Sequence, residues 1–430
     1  MTLLLRGGKL LDGTGAPARI ADIAVSDGRI AAVGTDLPAA AGAEVVELAG
    51  RSVMPGIVDC HVHITMGETL LHPRSWMGKA NFMTEREAGF MHVSALAARQ
   101  MAVAQYTCRR LLEAGVTTVR DVGVSAGQSD VVIREAVQSG FMPGPRILAC
   151  GGGIAMTGGH GWDLGVAEAD GADEVRKLVR LQLKAGADVI KIFATKAGLY
   201  RDIPGGPEFS VEEMRVICDE AHQQGKRVAA HAVGAEGIKR TILAGVDTVE
   251  HGCYLDEEGA EMMAERGTWL ISTLHPYDRQ AELCTTVGYP PYAAERSQEI
   301  MAVYPRNIAM ALERGVKVAL GSDCGIPSLT PHGENAREIV LFHKLVGRSA
   351  VEAVARGTGE AARALGIERE VGTLEPGKAA DLMVVEADLE AELDALLDSR
   401  RIARVLLGGR TVASGGVLQL AAYEASTATM

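Results

Sequence analysis

The chain has 430 residues, 47% of them hydrophobic and 23% charged, the composition of a soluble globular protein with room for one large core and a smaller one. A net charge of −12, only 4% aromatics and no Lys/Arg cluster argue against a nucleic-acid surface built on cations and base-stacking rings. No apolar stretch approaches the ~20 residues of a membrane span, and the short Leu3-Leu4-Leu5 run lacks a cleavage pattern, so no signal peptide is expected.

Residues 1–55 read as short strands at 3–11, 20–25 and 29–34, the last two joined by the hairpin turn Ser26-Asp27-Gly28. Near the other end, residues 380–385 and 404–412 repeat that β-rich pattern on either side of a helical stretch. Each end is too short for a strong core of its own. They are expected to meet as one composite β-sandwich, residues 1–55 with 366–424, around an inserted domain at 56–365. In that middle part strands alternate with helices, the pattern of βα units on a parallel sheet. Eight apolar runs end at His63, Asp121, Cys150, Phe193, His231, His251, Thr273 and Asp323, which predicts an α/β fold of (β/α)8 TIM-barrel type. Caps mark the helices between them. Ser210-Val211-Glu212-Glu213 is a capping box opening a helix that ends at Gly225. Stretches from His92, Asp173 and Ala235 end at Gly115, Gly186 and Gly245. Further helices run to about Leu365, and the Ala/Ser/Thr tail after Tyr423 is expected to fray.

The first barrel run reads Pro55-Gly56-Ile57-Val58-Asp59-Cys60-His61-Val62-His63. Side chains alternate along a strand, so His61 and His63 share a face and can share one cation; two surface histidines on an edge strand is the plain alternative. Barrels carry their chemistry at the C-terminal strand ends. His61, His63, Lys191, His231, His251 and Asp323 stand there. Imidazole and carboxylate suit Zn²⁺, with Mn²⁺, Co²⁺ or Fe²⁺ as other occupants. A protonated Lys191 would repel a cation. Carboxylated by CO₂ it could bridge two, one held by His61, His63 and Asp323, the other by His231 and His251. Unmodified, it would balance buried carboxylates. His160, His275 and His332 follow strands and are candidates for oxyanion stabilisation or substrate contact, while His72, His92, His222 and His343 read as solvated or packed. Seven cysteines, with no C-x-x-C pair, read as free thiols in a reducing cytoplasm. Cys60, Cys253 and Cys324 adjoin ligand positions and read as packing residues.

In order along the chain, the His61/His63 motif, Ile190-Lys191-Ile192-Phe193, Ala230-His231-Ala232, Glu250-His251-Gly252, Gly321-Ser322-Asp323 and Gly372-Thr373-Leu374-Glu375-Pro376-Gly377-Lys378 resemble the amidohydrolase superfamily. Thr118-Val119-Arg120-Asp121, Thr157-Gly158-Gly159-His160-Gly161 and Pro331-His332-Gly333-Glu334-Asn335 are similar to its branch of imidazolonepropionase-related enzymes and Xaa-Pro dipeptidases (prolidases). Such peptidases often carry an aromatic two residues after the fifth-strand histidine, where this chain has Val233. The resemblance implies a binuclear hydrolase with two divalent ions, zinc foremost, N6-carboxylated Lys191 and Asp323 as general base. Its substrate would be a dipeptide, Xaa-Pro or N-acyl amino acid. A metal-bridging hydroxide would attack the amide, with Asp323 accepting its proton and returning it to the leaving amine. A hydrolase of a cyclic amide, carbamate or xenobiotic amide is the runner-up. A mononuclear deaminase has no use for a bridging lysine, and a non-catalytic barrel has none for a full ligand set. A homo-oligomer is expected, with a small-molecule amide or peptide as partner and neither nucleic acid nor membrane.

Overall fold

The computed structural model describes residues 2–66, 93–162, 166–198, 205–287, 291–326 and 328–420. His72, His92 and the tail after Tyr423 lie outside the described residues.

The N-terminal end supplies β1 (Thr2–Leu10), β2 (Arg19–Ser26), β3 (Arg29–Gly34), β4 (Glu44–Glu47) and β5 (Ser52–Pro55). The middle supplies β6 (Ile57–Val62), β7 (Val116–Asp121), β8 (Arg146–Leu148), β9 (Ile154–Ala155), β10 (Ala167–Glu168) and β11 (Val189–Phe193). It continues with β12 (Arg227–Ala232), β13 (Thr248–His251), β14 (Trp269–Ser272) and β15 (Lys317–Leu320). The C-terminal end adds β16 (Leu382–Val385), β17 (Ile402–Leu407), β18 (Arg410–Ser414) and β19 (Val417–Leu418).

The two ends share one nine-stranded sheet, ordered β19-β18-β17-β16-β5-β1-β2-β3 with β4 on β1. Its seam is β5 against β16, antiparallel, with Val53 opposite Val384. Leu5, Ile23, Val53, Leu382 and Leu406 belong to one apolar cluster that spans the seam. The β2–β3 hairpin turns through Asp27 and Gly28, both at positive φ (50° and 77°), as a type I′ turn requires. The stretch between β16 and β17, expected to be helical, forms only short 3₁₀ turns at Leu393–Leu397 and Ser399–Arg401. There the Asp398 carboxylate accepts the Arg400 N–H at 3.0 Å, a local side-chain bond that competes with a helix.

Each of the eight apolar runs contains a strand. β6-β7-β8 form a three-stranded parallel sheet, and β10-β9-β11-β12-β13-β14-β15 a seven-stranded parallel one. Backbone bonds link the two at both margins. The Asp323 N–H donates to His61 O at 2.8 Å and the His63 N–H to Cys324 O at 2.9 Å, while the Asp188 N–H donates to Ala149 O at 2.7 Å. The two-residue strands β9 and β10 are too short to leave a periodic signal. Helices cover the apolar strands as expected: Gly171–Ala185 and Ala235–Ala244 end at Gly186 and Gly245 in left-handed conformation, and Val211–Gln223 opens with the Ser210–Glu213 capping box. Among the described residues, no helix is long and apolar enough to cross a membrane.

Candidate metal centre

The strand ends deliver their side chains to one buried region. His61 comes from β6, Lys191 from β11, His231 from β12 and His251 from β13, with His63 just beyond β6 and Asp323 just beyond β15; all are buried. Asp323 Oδ1 lies 3.2 Å from His63 Nε2 and 3.6 Å from His61 Nε2. The His61 and His251 rings are 4.8 Å apart between centroids, and those of His251 and His231 4.5 Å. Ligand atoms of His61, His251 and Asp323 all lie within 4.8 Å of one another.

Electrostatics favour electron-pair donors. Burial holds His61 and His231 well below the ordinary imidazole range and brings His251 down to about 4, leaving all three neutral near pH 7. Burial would push Asp323 up, but His61 and His63 override it and hold the carboxyl well below its usual range. Lys191 is lowered to about 8 by burial, against Glu250 and Asp323, which favour its ammonium. Its Nζ and His231 Nε2 are buried without a hydrogen-bond partner. A cation would satisfy the histidine nitrogen, and a carboxylate added to the lysine would turn an orphaned donor into a ligand. The donor set therefore fits a divalent metal group. His251 and Asp323 also sit at φ 70° and 51°, a left-handed backbone costing ~1–3 kcal/mol in residues other than glycine, and typical of sites held by their surroundings.

Residues 52–412 match the amidohydrolase family model. The chain belongs to the amidohydrolase family. It is thus an enzyme, a hydrolase acting on C–N bonds. Ochratoxinase from Aspergillus niger is 28% identical over 452 residues, covering 96% of this chain and 87% of that protein. Imidazolonepropionase from Rhizorhabdus wittichii is 27% identical over 395 residues, covering 86% and 89%. The fold superposes on a crystal structure of a prolidase complexed with N-methylphosphonate-L-proline with a TM-score of 0.83 at 27% identity, covering 97% and 100%.

In this amidohydrolase the remaining histidines divide by position. The His160 ring packs 4.6 Å from His231 and edge-on to Phe193 at 5.3 Å, beside the cluster. Enclosure, and then Lys191, bring its pKa down to about 4. His275 Nδ1 donates to Ser322 O and His332 Nε2 to His63 O, both at 3.1 Å, so these rings brace the segments that carry Asp323 and His63. His222 pairs with Asp247 at 2.8 Å and His343 bonds Arg348 O at 2.6 Å, both as surface-side residues. All seven cysteines are free and buried, and Cys60 Sγ points to Ala361 O at 3.7 Å, away from His61.

Several supporting residues carry no role in the sequence reading. His61 Nδ1 bonds Glu250, His63 Nδ1 bonds Gly123 O at 3.1 Å, and His251 Nδ1 bonds Thr273 Oγ1 at 2.8 Å. The Tyr304 hydroxyl donates to His251 O. Asp59 accepts from the His61 and Ser322 N–H groups at 3.1 and 2.9 Å and from Asn335 Nδ2 at 2.8 Å, tying the first and last barrel runs together. The available signal was charge inside buried, largely apolar runs, at Asp59, Arg120 and Glu250.

Proposed function

We propose that this amidohydrolase cleaves an amide bond in a small substrate: a dipeptide, an Xaa-Pro peptide or an N-acyl amino acid. The observation that carries the reading is the cluster of His61, His251 and Asp323, with His63 against Asp323, His231 against His251, Lys191 buried nearby, and orphaned nitrogens on Lys191 and His231. In this reading His61, His63 and Asp323 would hold one divalent ion and His231 and His251 a second, with N6-carboxylated Lys191 as a further ligand and zinc first among the candidate metals. Bound there, two cations would supply a hydroxide nucleophile near neutral pH and polarise the amide carbonyl. Asp323, kept ionised by its histidines, accepts the nucleophile's proton and hands it to the departing nitrogen. His160, neutral near pH 7, offers an N–H to the oxyanion that develops beside His231. His275 and His332 complete the site at its edge, as substrate contacts or as props behind the ligand segments.

The prolidase with its proline-containing ligand favours the peptide substrates. The relation to an ochratoxinase, not a peptidase by name, supports a xenobiotic amide as the second reading. The bridging bonds at Asp323–His61 and Asp188–Ala149 support closure of the two parallel sheets into a (β/α)8 barrel over residues 56–365. The shared end sheet supports a composite β-sandwich of residues 1–55 and 366–424. Seven free thiols support a cytoplasmic setting, and a homo-oligomer completes the proposal. The test is metal analysis together with a screen of zinc-loaded enzyme against dipeptide, Xaa-Pro and N-acyl amino acid libraries. About two metals per chain and turnover of an amide in those libraries are expected. A protein that binds no metal, or binds one and releases ammonia, would overturn the reading.

A further inference from the structure

Three carboxylates hold the loop that carries His160. The Thr157 N–H donates to Asp170 Oδ1 at 3.1 Å and the Gly158 N–H to Glu168 Oε1 at 2.6 Å. The His160 N–H is shared by both oxygens of Glu208, at 2.9 and 3.1 Å. Asp170 and Glu168 are exposed and lie just after the loop in sequence. Glu208 differs. It is half-buried and comes from the far side of β11, where its own N–H donates to Ala194 O at 2.9 Å and Pro207 bridges Thr195. A Cβ on Gly159 would stand 3.0 Å from Glu208 Oε2, so the loop lies against this carboxylate as closely as glycine permits. Glu208 therefore ties the His160 loop to the strand that carries Lys191.

We propose that Glu208 is a positioning residue whose carboxylate fixes the His160 loop, so that the imidazole sits against His231, and whose protonation loosens it. Protonation leaves one carbonyl oxygen able to accept the His160 N–H but makes the other an O–H donor, so the two-oxygen grip and the strength of a charge-assisted bond are lost. The change falls in a useful range: burial raises the Glu208 pKa to about 7, against the His160 N–H and the Lys196 ammonium, which favour the charge. Lys196 from the segment after β11 is the charged group that acts on it, and His160 acts through its backbone N–H, not its ring. Above pH 7 the clamp is tight; below it, the clamp loosens. Stability runs the other way. A carboxyl whose folded pKa exceeds its unfolded value of ~4.3 loses its contribution as pH rises through about 7. The clamp is thus held ionised at a cost in stability.

The role of His160 rests on the amide-hydrolase reading, so the test includes two readouts that need no turnover. Protection of the His160 amide against hydrogen exchange, corrected for intrinsic rate, is followed from pH 5.5 to 8.5, with melting temperature and kcat/KM alongside. The native enzyme should lose part of its His160 protection in a step near pH 7 as the pH falls. Glu208→Gln, which like the protonated acid keeps one acceptor oxygen but cannot titrate, should show no step, hold the native low-pH level of protection at every pH, melt higher than native at pH 8 and match it at pH 5. Glu208→Ala should leave the amide unprotected throughout and lower kcat/KM at pH 8 by about tenfold, the loss of one such bond, with Gln falling between Ala and native. The acid limb should also flatten in Gln, raising its pH 6 to pH 8 rate ratio severalfold over native. A level exchange profile in the native enzyme, or the same step persisting in Glu208→Gln, overturns the proposal. An exchange step without turnover of any amide would defeat the function reading alone and leave the Glu208 clamp standing.

Discussion

Glu250 Oε2 stands 2.8 Å from His61 Nδ1, and its other oxygen takes the Arg120 guanidinium at 2.7 Å. All three side chains are buried, and Arg120 is further spent on Cys60 O and Thr248 Oγ1 at 2.6 and 3.1 Å. The pair fixes the His61 tautomer: Nδ1 carries the proton to Glu250, and Nε2 is left as the lone-pair donor that faces Asp323. A charged pair so deep contributes little net stability, because desolvation offsets attraction. Its consequence is ligand orientation.

Glu250→Gln keeps the shape but weakens the pull on His61 Nδ1–H. Metal affinity should fall by ~10–100-fold while the fold survives, as measured by competition with a chromogenic chelator. Affinity equal to native would remove the orienting role. Glu250→Ala should be far worse, leaving the Arg120 charge buried and unpaired at about 3–5 kcal/mol, and should yield little folded protein.

Asp323→Asn should keep the fold and at least one metal yet lose ~10²–10⁴-fold or more in turnover, since an amide cannot take the proton of the nucleophile. A variant working at more than a tenth of the native rate would exclude Asp323 as general base.

Lys191→Ala should abolish activity, and bicarbonate or short carboxylic acids should partly restore it by standing where the carbamate stood. Burial supports the chemistry, because a pKa of about 8 leaves a substantial share of the amine neutral and able to attack CO₂. Mass evidence for an unmodified lysine in an active two-metal enzyme would refute the bridge.

The candidate ligands could be picked out because each stands at or near the end of an apolar run, and runs that alternate with helices carry their last residues to a common end of a parallel sheet. His61 and His63 announced themselves by spacing alone. The supports were hidden by distance along the chain: His61 and Glu250 are 189 residues apart, Arg120 and Glu250 130. No local period encodes such a pair. What a sequence does expose is the anomaly, a charge such as Arg120 within Val116–Asp121, every residue of which is buried. The helix expected before β17 failed for a local reason, since aspartate side chains there satisfy backbone N–H groups without one.

Asp121, Asp130 and Cys150 make a second buried cluster, with ligand-type atoms within 4.8 Å of one another. Asp130 Oδ2 accepts the Cys150 and Gly151 N–H groups at 2.9 and 2.7 Å, while its Oδ1 has no partner. Burial, and then Asp130, push Asp121 up to about 7, and burial also raises Asp130. Carboxyls raised above their unfolded value of ~3.9 contribute stability at low pH that is lost as pH rises through about 7. Asp130→Asn keeps the acceptor, removes a charge and puts a donor where Oδ1 stands alone. Its melting temperature should exceed native by ~2–4 °C at pH 8 and match it near pH 4. Equal melting at pH 8 would mean that the two carboxyls do not repel.

The last prediction concerns the shared sheet. The Lys9 and Leu11 N–H groups donate to Arg51 O and Val53 O, both at 2.9 Å, and β5 pairs in turn with β16 across the seam. Only Gly56 separates β5 from β6, and its N–H donates to Asp381 O at 3.0 Å. The strand that delivers His61 is therefore anchored on both sides by residues from opposite ends of the chain. Removing residues before 50 strips β1 to β4 from β5 and uncovers Val53, Leu382 and Leu406. Removing residues after 370 takes away β16 and leaves β5 a bare edge, a template for aggregation. Either truncation should give insoluble or metal-poor protein, read as soluble yield and metal content per chain. A soluble, fully metallated protein of residues 50–370 would mean that the β6 end is set from within the parallel sheets, and that the end sheet is an accessory to them.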